Sequence, residues 1–165
     1  ALKCENVKNS YRLILYGNTI SNEKWNQLGL SEIAEYRGWL DYSKDVSTLK
    51  DIDVFLQLLD DNNVSKAGWP NKLGDYLAFG KPVILSPYGD IIDFVKNEKG
   101  FFIVEYNKYS ILKILQEIKD IPYSDLKTMG YANRQLAEKI SWKNRAKNIE
   151  YICNKIRFNN ETVKN

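Results

Sequence analysis

Apolar, strand-like runs alternate with short helix-like stretches along most of the 165 residues, which predicts a Rossmann-like, doubly wound parallel α/β sheet. Two stretches carry that expectation. Ile52 to Leu59 is nearly continuously apolar, as a strand covered on both faces must be. Gly68 to Ser86 reads as a short helix that opens on a glycine-containing loop and feeds a second buried strand. About five strands are expected in one domain over residues 1–165.

Taken in order, Ala1 to Asn9 reads as the tail of a helix or a lead-in, and Tyr11 to Tyr16 as a strand stopped by Gly17-Asn18. Glu23 to Leu28 is a short helix that Ser21 or Asn22 can cap. Ile33 to Trp39 is a more polar strand, nearer an edge, and Ser43 to Lys50 a short helix. The Ile52–Leu59 strand ends in the polar loop Asp60-Asp61-Asn62-Asn63. Pro70 suits a first helical turn, and Leu73, Tyr76 and Leu77 follow at helical spacing. Gly80 ends that helix, Lys81-Pro82 forbids its continuation, and Val83 to Leu85 is the strand. Helices follow over Asp90–Asn97, Ser110–Ile118, Ser124–Ile140 and Trp142–Phe158, with a strand at Phe101–Glu105 and a frayed tail over Asn159–Asn165.

Composition removes several classes of function. The net charge of +3 is mild and gives no basic stripe for nucleic acid. There is no histidine, which excludes histidine-based dyads, triads and zinc sites within this chain. Cys4 and Cys153 match no metal or redox spacing, so a reduced, cytoplasmic setting is expected. No apolar run approaches the ~20 residues of a membrane span.

In an open parallel sheet, ligands bind beyond the carboxyl ends of the strands. Gly17-Asn18, Gly38–Leu40, Asp60–Pro70 and Pro87–Asp90 are all loops of that edge. The helix that starts at Pro70 therefore opens on the ligand side, with unsatisfied N–H groups and a positive dipole end suited to phosphate. Lys72 stands in its first turn, where a cation opposes the dipole until an anion arrives.

The same stretch resembles the C-terminal, donor-binding domain of GT-B retaining glycosyltransferases of the large group that uses nucleotide sugars. That family carries Glu, seven residues, Glu, and a small-residue helix ending in Gly-Lys/Arg-Pro-Val. Here Gly80-Lys81-Pro82-Val83 fixes the register, Pro70 matches the family's proline, Asp75 falls on the second acid, and Ala67 replaces the first. Tyr11–Gly17, Tyr36-Arg37-Gly38-Trp39, Ile52–Leu56 and Met129–Trp142 resemble further family segments in the same order.

The resemblance implies that Asp75 receives the ribose hydroxyls, while the amides of Lys72 and Leu73 and the Lys72 ammonium hold the diphosphate. Gly38, Trp39 and Leu40 would contact the base, with Gly17 on the same edge. Asn71 and the Lys66-Ala67-Gly68 loop would lie near the sugar. No catalytic base is expected in this chain, nor a cofactor or metal. The implied activity is hexosyl transfer from a UDP- or GDP-sugar to a glycan or lipid, with retention, as in polysaccharide or glycolipid synthesis. An N-terminal acceptor domain would be the partner, and through it the protein could reach the inner face of the membrane. The 165 residues would then be a fragment, inactive alone, that also lacks a first strand between those at Tyr11 and Ile52. Direct pairing of these two strands would contradict that gap. Ala67 leaves a second reading open, a non-catalytic nucleotide- or phosphate-binding module or a degenerate transferase domain. Trp69 and Trp39 are divided between packing and ligand stacking, Trp142 is expected to pack, and Asp60-Asp61 reads as solvated rather than metal-binding.

Overall fold

The computed structural model describes residues 1–4, 7, 9–18 and 20–162, with side chains described as far as residue 157. Among these residues five short strands alternate with seven α-helices and one 3-10 helix. β1 (Leu13–Leu15) and β2 (Ala34–Tyr36) pair in parallel, and β3 (Phe55–Gln57), β4 (Val83–Leu85) and β5 (Phe101–Ile103) form a second parallel sheet in the order β3-β4-β5. The class and strand number are those expected, but the sheet is divided in two.

The backbone explains the division. Leu13 donates to Ile33, and Leu15 accepts from Arg37, so the peptide groups of Ile14 point away from β2. Phe55 donates to Pro82 and Gln57 accepts from Ser86, so those of Leu56 point away from β4. Among the described residues, β1 and β3 are not hydrogen-bonded to each other. Bonded on one side only, both strands are shorter than their apolar runs.

β4 is the middle of its sheet and wholly buried. Its side chains alternate between two cores, as strand geometry requires. Val83 and Leu85 join Phe55 beneath α3 (Asn71–Ala78), α4 (Ile91–Val95) and Leu136 of α6 (Tyr123–Lys139). Ile84 joins Val104, Val7 and Leu126 beneath Leu115 and Ile118 of α5 (Lys108–Lys119). Helices on both faces are the doubly wound arrangement.

The edge where β4 and β5 begin is locked by α6. Asn133 is fully buried and donates from Nδ2 to the carbonyls of Lys81 and Gly100, both at 2.9 Å. A Cβ on Gly130 would stand 2.1 Å from the Gly80 carbonyl oxygen, so the backbones of α6 and the α3 terminus approach as only glycine permits. Gly80 takes φ 66° and ends α3 as expected, while Arg134 donates to the Ala78 carbonyl at 2.6 Å. Lys81 donates to the Lys50 carbonyl at 2.9 Å, at the end of the 3-10 helix.

Three local expectations are corrected. The helix expected over Ser43–Lys50 is a 3-10 helix, Val46–Asp51, because Asp41 turns the preceding chain by accepting from the Ser43 amide at 2.9 Å. The Asp60–Asn63 loop leads straight into α2 (Asn63–Ala67), where Asn62 Oδ1 caps Ser65 at 2.8 Å. For residues 1–4 and 7 the helix-tail alternative is corrected in favour of the lead-in: they form turns, with i+3 bonds such as Val7 to Cys4 at 3.0 Å. At the other end, α7 runs from Trp142 to Thr162, past the expected fraying point, and residues 163–165 lie outside the described ones. Its apolar stripe of Ile149, Ile152 and Ile156 is more than half exposed.

Candidate functional site

At the opposite, carboxyl edge, α2 and α3 flank a cleft of about 380 Å³. Gln57 and Leu59 from the end of β3 form its floor, with Val64, Gly68, Trp69, Pro70, Asn71 and Lys72 around it. Three of the residues singled out from sequence, Gly68, Asn71 and Lys72, therefore meet in one cavity. Ser86 braces the floor: its buried hydroxyl accepts from the Leu59 amide at 2.9 Å, and its own amide donates to Gln57.

α3 begins at Asn71 with Pro70 as its cap, which brings no side-chain acceptor and leaves the first turn without an acid. Asn71 and Lys72 are exposed, and Lys72 has no ion pair among the described residues. Leu73 is fully buried, and its amide already donates to the Pro70 carbonyl at 2.9 Å. Its side chain thus anchors the helix in the core, and any ligand must share that N–H. Ala67 is the last residue of α2, so no carboxylate stands at that point.

Asp75 lies one turn further along α3, exposed, and accepts a hydrogen bond from the Tyr42 hydroxyl at 2.8 Å. Tyr42 belongs to the loop after β2. That loop is built from Gly38 at φ 73°, Trp39, which is 74% exposed, and Leu40, whose side chain packs on the core. Leu40 can therefore offer a ligand only its backbone. Asp41 orders the next residues through both the amide and the hydroxyl of Ser43, and these bonds hold its carboxyl below the usual range. The Tyr42 phenol is pushed up to about 12, by burial first and then by its bond to Asp75. Gly17 donates to the Gly38 carbonyl at 2.9 Å and accepts from the Tyr36 hydroxyl at 2.8 Å, so the loops after β1 and β2 are tied together.

Sequence reasoning missed Tyr42, because 33 residues separate it from Asp75 and no local pattern links them. It also missed the support behind Trp69. That indole meets Phe94 edge-on with centroids 5.3 Å apart, and the Arg145 guanidinium lies 5.8 Å from its centre. Arg145 lies equally close to Trp142, 5.6 Å from that ring. Trp142 is 84% exposed, so the packing expected of it is a surface contact with Arg145. Trp69 is both packed and, at 39% exposure, part of the cleft wall. Asp61 is paired with Lys66, and among the described residues no group of three or more acids or cysteines is placed to hold a metal. Neither cysteine is in a disulfide, and no described helix is long and apolar enough to cross a membrane.

No protein-family model matches the chain, and no curated protein does. Solved structures do. The sucrose-phosphate synthase of Thermosynechococcus elongatus superposes with a TM-score of 0.68 at 16% identity, over 88% of this chain and 38% of that one. HepE of Anabaena in complex with UDP gives 0.60 at 15% identity, over 79% of this chain and 37% of its own. The UDP-glucose complex of HepE gives 0.59 at 13% identity, over 78% and 36%. These neighbours are GT-B glycosyltransferases. The chain has the fold of a GT-B domain. It spans well under half the length of the GT-B chains it matches. The fold is the one the resemblance implied, and the chain's own strand order puts the cleft beside α3 at the edge where open parallel sheets bind ligands.

Proposed function

We propose that this chain is the donor-binding domain of a glycosyltransferase that moves a hexosyl group from a UDP- or GDP-sugar to a glycan or lipid acceptor, with retention and without a metal. The observation that carries the reading is the arrangement at the start of α3. A lysine without an ion pair among the described residues, a helix N-terminus, a cleft and, one turn on, a carboxylate stand in sequence along the ligand edge. The fold is one that, in HepE, is seen with UDP-glucose.

In this reading Lys72 and the first amides of α3 meet the diphosphate and stabilise it as it leaves with growing charge. Asp75 receives the ribose hydroxyls, and backbone groups of Gly38 to Leu40 meet the base beside the exposed Trp39. Gly68, Asn71 and Trp69 line the space left for the sugar. The acceptor and its catalytic groups belong to an N-terminal domain, which is also the part that would meet the inner face of the membrane, so the chain alone binds and does not turn over. Ala67 favours one alternative, a nucleotide-binding module without transferase activity, because the sugar end of the cleft lacks an acid.

Calorimetric titration with UDP, GDP and ADP tests the site on this chain and on Asp75→Ala. One nucleotide should bind, and Asp75→Ala should weaken it about tenfold or more, the worth of a hydrogen bond to a charged group. Binding by none of them, or binding indifferent to Asp75, refutes the reading.

A further inference from the structure

We infer that the Tyr42 hydroxyl occupies, in the unliganded chain, the place on Asp75 that a ribose hydroxyl takes when a nucleotide binds, which makes Tyr42 a positioning residue that sets ribose affinity. The inference rests on the donor-site reading above and adds to it a residue and a direction of effect.

Three observations lead there. First, Tyr42 donates to Asp75 Oδ2 at 2.8 Å, while Oδ1 has no hydrogen bond among the described residues. A vicinal diol grips a carboxylate best with one hydroxyl on each oxygen, so one of the two seats is taken. Second, the occupant is chemically alike to the ligand group. Phenol and ribose hydroxyl are both neutral O–H donors to one carboxylate, and each can replace the other without moving a charge. Third, the contact is presented by a built loop. Asp41 is bonded to both the amide and the hydroxyl of Ser43, and its own amide donates to Asp45 Oδ2 at 2.9 Å. Tyr42 is thereby carried from the loop after β2 onto α3. Yet the residue is 52% exposed, so it has open space to swing into when displaced.

A ribonucleotide must therefore exchange one hydrogen bond for another at Oδ2, whereas a 2′-deoxynucleotide can use Oδ1 and leave Tyr42 in place. Removing the hydroxyl vacates the seat. Tyr42→Phe should tighten the bound nucleoside diphosphate about three- to tenfold, the range of one ordinary hydrogen bond. Its 2′-deoxy counterpart should change less than twofold, so the ratio of ribo to deoxy affinity rises. Tyr42→Phe added to Asp75→Ala should have no further effect, as a double-mutant cycle for one shared contact requires.

Calorimetric titration of the four proteins with UDP, GDP and ADP and their 2′-deoxy forms decides it, with a thermal melt to verify folding. Weaker or unchanged ribonucleotide binding by Tyr42→Phe overturns the inference while leaving the donor site standing, provided Asp75→Ala still weakens binding. Equal tightening of ribo and deoxy forms overturns it too, by pointing to access rather than to Oδ2. If Asp75→Ala is without effect, the donor-site reading fails and this inference fails with it.

Discussion

Lys72→Ala is expected to move stability and binding in opposite directions. Lys72 is the second residue of α3, after Pro70 and Asn71, in a first turn that contains no acid. Its charge adds to the positive end of the helix dipole, a conflict of about 0.3–1 kcal/mol that exposure draws toward the lower value. Alanine removes the conflict and has slightly better helix propensity. The gain of about 0.5 kcal/mol should raise Tm by about 1–2 °C in a domain of this size. Under the proposed donor-site reading the same ammonium would make a charge-assisted bond to phosphate worth about 1.5–3 kcal/mol, so nucleoside diphosphate binding should fall about 10- to 150-fold. Both effects should shrink as salt is added. Differential scanning calorimetry and titration on one preparation read the two signs together. A higher Tm with unchanged affinity would make Lys72 an ordinary solvated lysine, and a lower Tm would refute the dipole argument.

Other substitutions probe the scaffold. Asn133→Ala takes a buried donor from the Lys81 carbonyl and leaves the Gly100 carbonyl with the Val83 amide, and chemical denaturation should show a loss of about 1–3 kcal/mol. Gly130→Ala would ordinarily favour a helix by about 1 kcal/mol, but the 2.1 Å approach to Gly80 should reverse the sign to a loss of about 1–3 kcal/mol in the same assay. Arg145→Met removes the cation from two indole faces and should lower stability by about 1 kcal/mol, with a change in the near-ultraviolet dichroism of tryptophan. Tyr11, Tyr42, Tyr76 and Tyr88 all have raised pKa values, with burial the leading cause in each. A raised folded value means that their contribution is complete below the ordinary value of 10.0 and is lost as pH climbs through the folded ones, Tyr42 last at about 12. Melting followed from neutral to strongly alkaline pH, beside phenolate absorbance, should show that decline.

What sequence made legible were features enforced by local chemistry. Val83–Leu85 was found to the residue, because proline and glycine bound it on one side and burial on both faces forces a continuous apolar run. The cap of α1 (Asn22–Gln27) was narrowed to Ser21 or Asn22, and it is the Ser21 hydroxyl that accepts from the Lys24 amide. The 3-10 helix was less so, since an aspartate competing for backbone donors leaves a polar run that fits a helix equally well. The division of the sheet follows from which peptide groups find partners, which no composition records. At the site, Lys72 could be picked out by its place in the first turn of a predicted helix, and Asp75 by the resembled motif, in which it falls on the second acid. Tyr42 and Arg145 could not, because each reaches α3 or its leading loop from an element placed there only by the tertiary fold.

The two edges of the sheet explain why the site is where it is. At the edge where β4 and β5 begin, Asn133, Gly130 and Gly80 bind α6 to the strand starts with no room for a methyl group and no solvent on the amide. Such an arrangement fixes the helix but can admit nothing. At the carboxyl edge the groups are exposed instead: Trp39, Lys72 and Asp75 stand in solvent, and Ser86 braces the cleft floor through its hydroxyl and its amide. Leu73 and Leu77 connect the edges, both fully buried on α3, so the helix carrying Lys72 and Asp75 is seated on the core fixed at the far edge. Residues of that edge can then vary, as Ala67 does relative to the resembled pattern, without loosening the frame that holds them. Hence substitutions at Asn133 and Gly130 should act on stability far more than on affinity, and those at Lys72, Asp75 and Tyr42 the reverse.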